Sequence, residues 1–216
     1  MRPQLMVLAV LCVAGVGCAA PINTSTSVTY LAPVAPVVDS VAILPVSSGE
    51  GLEGFRRLIS DSLYAVLGRE RREIVVLPAD TTLNRINAAH LTDRYAQAIR
   101  DYLQTSVLDK GTIDSMGRAV GVKYFLYTRA AYASGKSVSG NFLTGYSTRT
   151  DQGLQLFVHV WDARRGDVVW EAVNDAEVSA GELQTSRGLD EILGAGVRDL
   201  VGRWMSPRGQ SDSQSQ

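Results

Sequence analysis

The sequence predicts a single α/β domain, a mixed β-sheet with flanking helices in the order β-α-β-α-α-α-β-β-β-α. Three observations predict it. Short apolar runs of strand length alternate with segments whose apolar residues recur at helical spacing, the pattern of strands and helices packed in layers. Farther along, strand-like alternation flanks a hairpin-turn sequence, so antiparallel strands join the sheet and it is mixed. The composition, 45% hydrophobic and 20% charged over 216 residues, is that of an ordinary globular chain.

Each element has its own warrant. Val41-Ala42-Ile43-Leu44-Pro45-Val46 is a short apolar run and reads as a buried strand. Leu52, Phe55, Leu58, Ile59, Leu63 and Val66 then fall at helical spacing, with Gly68 where a helix stop favours glycine. Ile74-Val75-Val76-Leu77-Pro78 is a second strand. Asp80 is placed to cap a helix carrying Leu83 and Ile86, and Thr92 to cap one carrying Tyr95, Ile99, Tyr102 and Leu103. Thr112 is placed to cap a third, carrying Ile113, Met116 and Val120, with Gly121 as its stop. Val122 to Tyr132 and Leu154 to Val160 alternate as strands. Asp162-Ala163-Arg164-Arg165-Gly166-Asp167 is turn chemistry, and Val168 to Val173 returns antiparallel. Leu189, Ile192, Leu193, Val197, Leu200, Val201 and Trp204 share one face of a last helix.

The chain ends read differently. Met1-Arg2 followed by the apolar run Leu5 to Val16 fits the h-region of a signal peptide over residues 1–17, too short to span a bilayer comfortably. Gly15-Val16-Gly17-Cys18-Ala19-Ala20 resembles the bacterial lipobox, in which small residues precede a cysteine that is acylated and becomes the new N-terminus. That resemblance makes Cys18 the lipid-attachment residue. Ala19, in place of the aspartate that retains lipoproteins at the inner membrane, implies the outer membrane, with the domain in the periplasm. Residues 18–37, with Pro21, Pro33 and Pro36 among Ser and Thr, read as an extended tether. Residues 38–205 are the expected folded body, and the polar 206–216 a disordered tail.

Catalytic chemistry is short of parts. The two cysteines, Cys12 and Cys18, lie in or beside the leader, so the body has no thiolate nucleophile and no Cys-ligated zinc. A net charge of −1 does not point to nucleic acid. Gly49-Glu50-Gly51-Leu52-Glu53-Gly54 matches the dinucleotide fingerprint between a strand and a helix, with Asp80 after the next strand. Yet Glu50 and Glu53 would set carboxylates where a pyrophosphate belongs, so the loop reads as a connection. Gly135-Lys136-Ser137 imitates a P-loop tail, but the motif's first glycine would fall at Ala130, inside a strand. His159 reads as a sheet residue sharing a face with Phe157 and Trp161, and His90 as a joint between helices. Arg69, Glu70, Arg71, Arg72 and Glu73 read as a solvated turn. No catalytic residue, cofactor or metal ligand is expected.

The Ile-Leu-Pro strand, the second strand ending in Leu-Pro, Met116-Gly117-Arg118-Ala119-Val120-Gly121-Val122-Lys123-Tyr124 and Val160-Trp161-Asp162-Ala163-Arg164-Arg165-Gly166-Asp167-Val168-Val169-Trp170 together carry a resemblance. Over about residues 40–203 the pattern is similar to bacterial envelope lipoproteins built like the curli-secretion channel CsgG, the peptidoglycan-synthase activator LpoB and the N-terminal domain of TolB. The resemblance implies a non-enzymatic assembly, secretion or envelope-complex factor whose partners are envelope proteins or copies of itself. An accessory lipoprotein of a transporter, or a periplasmic nucleotide-binding enzyme using the Gly49–Gly54 loop, are the alternatives. A membrane pore would need apolar hairpin strands of about 9–11 residues, which the excursion Ala133–Gly153, with Phe142, Leu143 and Tyr146, does not supply.

Overall fold

The computed structural model describes residues 21–32, 38–133, 137–138, 149–180 and 188–204; the leader, Cys18, Phe142, Leu143, Tyr146 and the 206–216 tail lie outside them. The elements run β1 (Ile22–Tyr30), β2 (Ser40–Ile43), β3 (Ser47–Ser48), a 3₁₀ turn (Glu53–Phe55), α1 (Arg56–Glu70), β4 (Val75–Leu77), α2 (Ala79–Ala88), α3 (Thr92–Thr105), α4 (Lys110–Val120), β5 (Tyr124–Ala133), β6 (Ser137–Val138), β7 (Arg149–Asp162), β8 (Asp167–Ala180) and α5 (Leu189–Gly202). The predicted order is present from β2 to α5, with β1, the two-residue β3 and the two-residue β6 added to it.

The sheet order is β1-β8-β7-β5-β2-β4, with β3 beside β5 and β6 beside β7. β2 is parallel to both β4 and β5, whereas β5, β7, β8 and β1 run antiparallel in turn. The crossover from β2 to β4 steps outward through α1. The one from β4 back to β5 steps the other way through α2, α3 and α4. Crossovers of one hand running in opposite directions put their helices on opposite faces. Accordingly α1 and α5 cover one face over Ile59, Leu63, Leu126, Val158, Val160, Trp170, Leu193 and Leu200. On the other face, the second helical layer covers Ala42, Leu44, Phe125, Tyr127 and Trp161.

Part of the expected tether is strand instead. Residues 22–30 pair in unbroken antiparallel register with β8, from Ile22 opposite Val178 to Tyr30 opposite Trp170. The cause is the alternation between the flanking prolines: Ile22, Val28 and Tyr30 turn toward the α1/α5 core, while Asn23, Ser25, Ser27 and Thr29 face solvent. Thr26 is buried on the inward face. Its hydroxyl donates to Asp199 of α5 at 2.6 Å and accepts from Nδ2 of the buried Asn174 at 2.8 Å. One side-chain network thus ties β1, β8 and α5 together.

Several local expectations shift by a turn or less. α1 runs past Gly68 to Glu70, with Arg71 as its cap. α2 starts after Pro78, leaving Asp80 in the first turn, where a carboxylate suits the helix dipole. Thr92 is the first residue of α3 rather than its cap. Asp109 caps α4, accepting from the Gly111 amide at 3.1 Å and from the Thr112 hydroxyl. Gly121 and Gly166 stop α4 and turn the hairpin with φ of 77° and 68°. A bulge between β7 and β8 near Val160 and Trp161 leaves Val169 unpaired in the strand register, so that Val169 and Trp170 both face the α1/α5 core.

Candidate interaction surface

Among the described residues, the helical layer of α2, α3 and α4 reaches β8 only at its first turn-proximal residues, around Val168, and does not extend over the rest of β8 or over β1. Beyond it, one face of the sheet carries exposed or half-buried side chains: Arg129 on β5, Gln155, Phe157 and His159 on β7, Glu171, Val173, Asp175 and Glu177 on β8, and the Ser/Thr/Asn row of β1. Strand alternation puts them there, because their neighbours Ala130, Leu156, Val158, Ala172, Asn174 and Ala176 fill the opposite face. The row is fixed in place. Gln155 donates to Asp175 at 2.6 Å across the strands, and the Arg129 guanidinium lies 6.0 Å from the Phe157 ring centroid.

Where the helical cover ends, α3 meets the sheet through an aromatic cluster. Tyr127 stacks on Trp161 with ring centroids 4.8 Å apart, and Tyr102 meets Trp161 edge-on at 4.8 Å. The Tyr102 hydroxyl lies 2.6 Å from Nδ1 of His159, whose Nε2 faces Glu171 at 3.9 Å. The charge of Glu171 favours the neutral tautomer with its proton on Nε2, in which Nδ1 accepts from the tyrosine. Burial lowers the His159 pKa, opposed by the charge of Glu171. Burial and then Glu171 push the Tyr102 hydroxyl up to about 12, and burial also raises Tyr127. These shifts disfavour both a phenolate and an imidazolium. The Tyr102–His159 contact ties α3 to β7.

His159 does share its face with Phe157 and Trp161, as the alternation predicts. His90 lies in the turn between α2 and α3, exposed and with φ of 57°. Arg69 pairs with Glu70 and Arg71 with Glu73 at the surface, and Arg71 also donates to the Trp204 carbonyl at 2.8 Å.

The glycine-rich loop is built as a connection. Ser47–Ser48 pairs alongside Arg129 and Ala130, and the Gly49 amide donates to the Ala130 carbonyl at 2.9 Å, so that donor is already used. Leu52 is fully buried beneath the loop, and a 3₁₀ turn separates it from α1. Glu50 and Glu53 are exposed, and Gly51 has φ of 81°. This is not the tight strand-to-helix turn that cradles a pyrophosphate. A cleft of about 340 Å³ opens at the hairpin end of the sheet, with Asp39, Asp114, Arg118, Lys123 and Arg164 among its lining; its charges are of both signs. Among the described residues, no three His, Cys, Asp or Glu side chains come together as a metal would require, and no helix is long and apolar enough to cross a membrane.

Sequence reasoning missed the uncovered face and the Tyr102–His159 contact, which joins residues 57 positions apart. A signal for the strand at its rim was present: Ile, Val, Tyr and three Thr within nine residues form a β-prone run.

No known family and no curated protein matches the sequence. Solved structures similar to this chain include a PelC dodecamer from Paraburkholderia phytofirmans, at 13% identity and TM-score 0.39 over 83% of this chain and 95% of that one. Lipoprotein GNA1162 from Neisseria meningitidis is similar at 15% identity and TM-score 0.36, over 76% of this chain and 97% of that one. The LpoB C-terminal domain from Escherichia coli is similar at 14% identity and TM-score 0.37, over 63% of this chain and 81% of that one.

Proposed function

We propose that this protein is an outer-membrane-anchored lipoprotein, acylated at Cys18, that acts without catalysis as an assembly, secretion or envelope-complex factor through protein–protein contacts. The observation that carries this reading is the uncovered half of the sheet, where half-buried Phe157 and Val173 sit among polar side chains on a surface held rigid by the core behind it. A fixed face with an apolar centre and a polar rim suits a protein partner or a second copy. Photo-crosslinking residues at Ser27, Phe157 and Asp175 in intact envelopes test it. Adducts of defined mass are expected from these positions and not from Asp61 or Arg57 on the outer side of α1. Adducts only from α1, or none from the sheet face, would refute this surface. Cys18→Ala tests the anchor: the variant is expected to lose its lipid mass and leave the membrane fraction, and unchanged mass and retention would refute acylation there.

A further inference from the structure

Cys18 and the first strand are close in the chain. Cys18 stands four positions before Ile22, a reach of at most about 14 Å when fully extended. The register then fixes which end of the molecule lies within that reach. Ile22 stands level with Val178, and Val178 with Gln152. β7 and β8 continue past this level to Arg149 and Ala180, and β6 pairs there too. Three residues of β7 beyond Gln152 project about 10 Å. The opposite end, at the β7–β8 turn, lies ten residues along β7 from Gln152, about 33 Å away.

We infer that this short leash turns the Ile22 end of the sheet toward the lipid headgroups and holds the β7–β8 turn and its cleft away from the bilayer. The inference rests on the lipid-anchor reading above. A leash of about 14 Å is less than half the span from the level of Ile22 to the β7–β8 turn, so the Ile22 end is the one held nearer the bilayer. A domain on a long flexible tether would have no such preferred end.

After acylation of Cys18 and removal of the leader with Cys12, an introduced cysteine is the single free thiol. The test uses the full-length lipoprotein, reconstituted in phosphatidylethanolamine/phosphatidylglycerol vesicles containing a headgroup-nitroxide phosphatidylcholine. An environment-sensitive fluorophore is placed on N23C, E177C or R165C, all exposed positions, the first two near Ile22 and the third in the β7–β8 turn. Quenching several-fold stronger at residues 23 and 177 than at 165 is expected. It should fall to the level of residue 165 when twenty Gly/Ser residues are inserted between Ala20 and Pro21. Equal quenching at both ends in vesicle-bound, lipid-bearing protein would overturn the orientation and leave the anchor intact. Strong quenching that persists with the long insert would overturn the leash as its cause. Protein without the lipid mass that fails to float with vesicles would overturn the anchor, and the orientation with it.

Discussion

Single atoms decide how closely α5 can approach the sheet. A Cβ at Gly196 would stand 2.4 Å from Oδ1 of Asn174 and 3.1 Å from the Ala176 methyl. Asn174 is fully buried and bonded to Thr26, so it cannot swing aside. Gly196→Ala is expected to lose about 1–3 kcal/mol in urea denaturation, and a midpoint equal to the parent's would refute the close approach. At Gly51 the constraint is torsional: φ of 81° predicts a loss of about 1–2 kcal/mol for Gly51→Ala. His159 makes stability depend on pH. Its folded pKa is lowered by burial, Glu171 opposing, while the unfolded residue titrates near about 6.5. Between the two values the unfolded chain binds more protons. The histidine's contribution is therefore complete above about pH 6.5 and is lost as pH falls through the folded pKa. Denaturation at about pH 7.5 and about pH 5.5 should show a smaller drop for His159→Gln than for the parent, and equal drops would refute the assignment.

At the scale of elements, β1 and α5 complete the core together. Leu193 and Leu200 are at most 1% exposed, so truncating either to Ala should cost about 2–5 kcal/mol and lower the melting midpoint clearly. Removing residues 21–30 should do more than shorten the chain. It uncovers the edge of β8, takes Thr26 from Asn174 and Asp199, and strips Val28 and Tyr30 from the core. A chain beginning at Val38 is expected to melt well below one beginning at Pro21, and equal melting would show β1 to be dispensable. The helices and the long strands were legible because their apolar periods are regular, as in the α5 stripe from Leu189 to Trp204. β1 was not, because its inward residues include two threonines and its flanks carry Pro21 and Pro33, so composition masked the period-two pattern. Helix starts slipped where a cap lay a few residues upstream, as Asp109 does for Thr112. The open sheet face was illegible because it is defined by where α3 ends over β7, a property of packing and not of any local run.

Among the described residues, the sheet has one face closed by helices and one half open. Ser27 and Asp175 are exposed, and Asp175 makes only a surface hydrogen bond with Gln155, so Ser27→Arg with Asp175→Arg should leave the melting midpoint nearly unchanged, within about 0.5 kcal/mol per site, while abolishing the adduct formed from Phe157. Melting far below the parent would mean that the face belongs to the fold and not to a partner. The pairing of β1 with β8 also sets a schedule. Thr26 and Asn174 lie 148 residues apart, so in any N-to-C emergence, from the ribosome or through an export channel, the first strand appears long before its neighbour. Until then β1 can only wait, and its uncharged Ser/Thr/Asn run gives it little apolar surface with which to collapse wrongly. The sheet is sealed last, by a contact whose loop-closure entropy is among the largest this chain can incur, so assembly is paced by completion of the polypeptide. Chains arrested before Asp167 should keep residues 22–30 open to protease even when α1 and β2–β5 are present, whereas chains released after Trp204 should protect them.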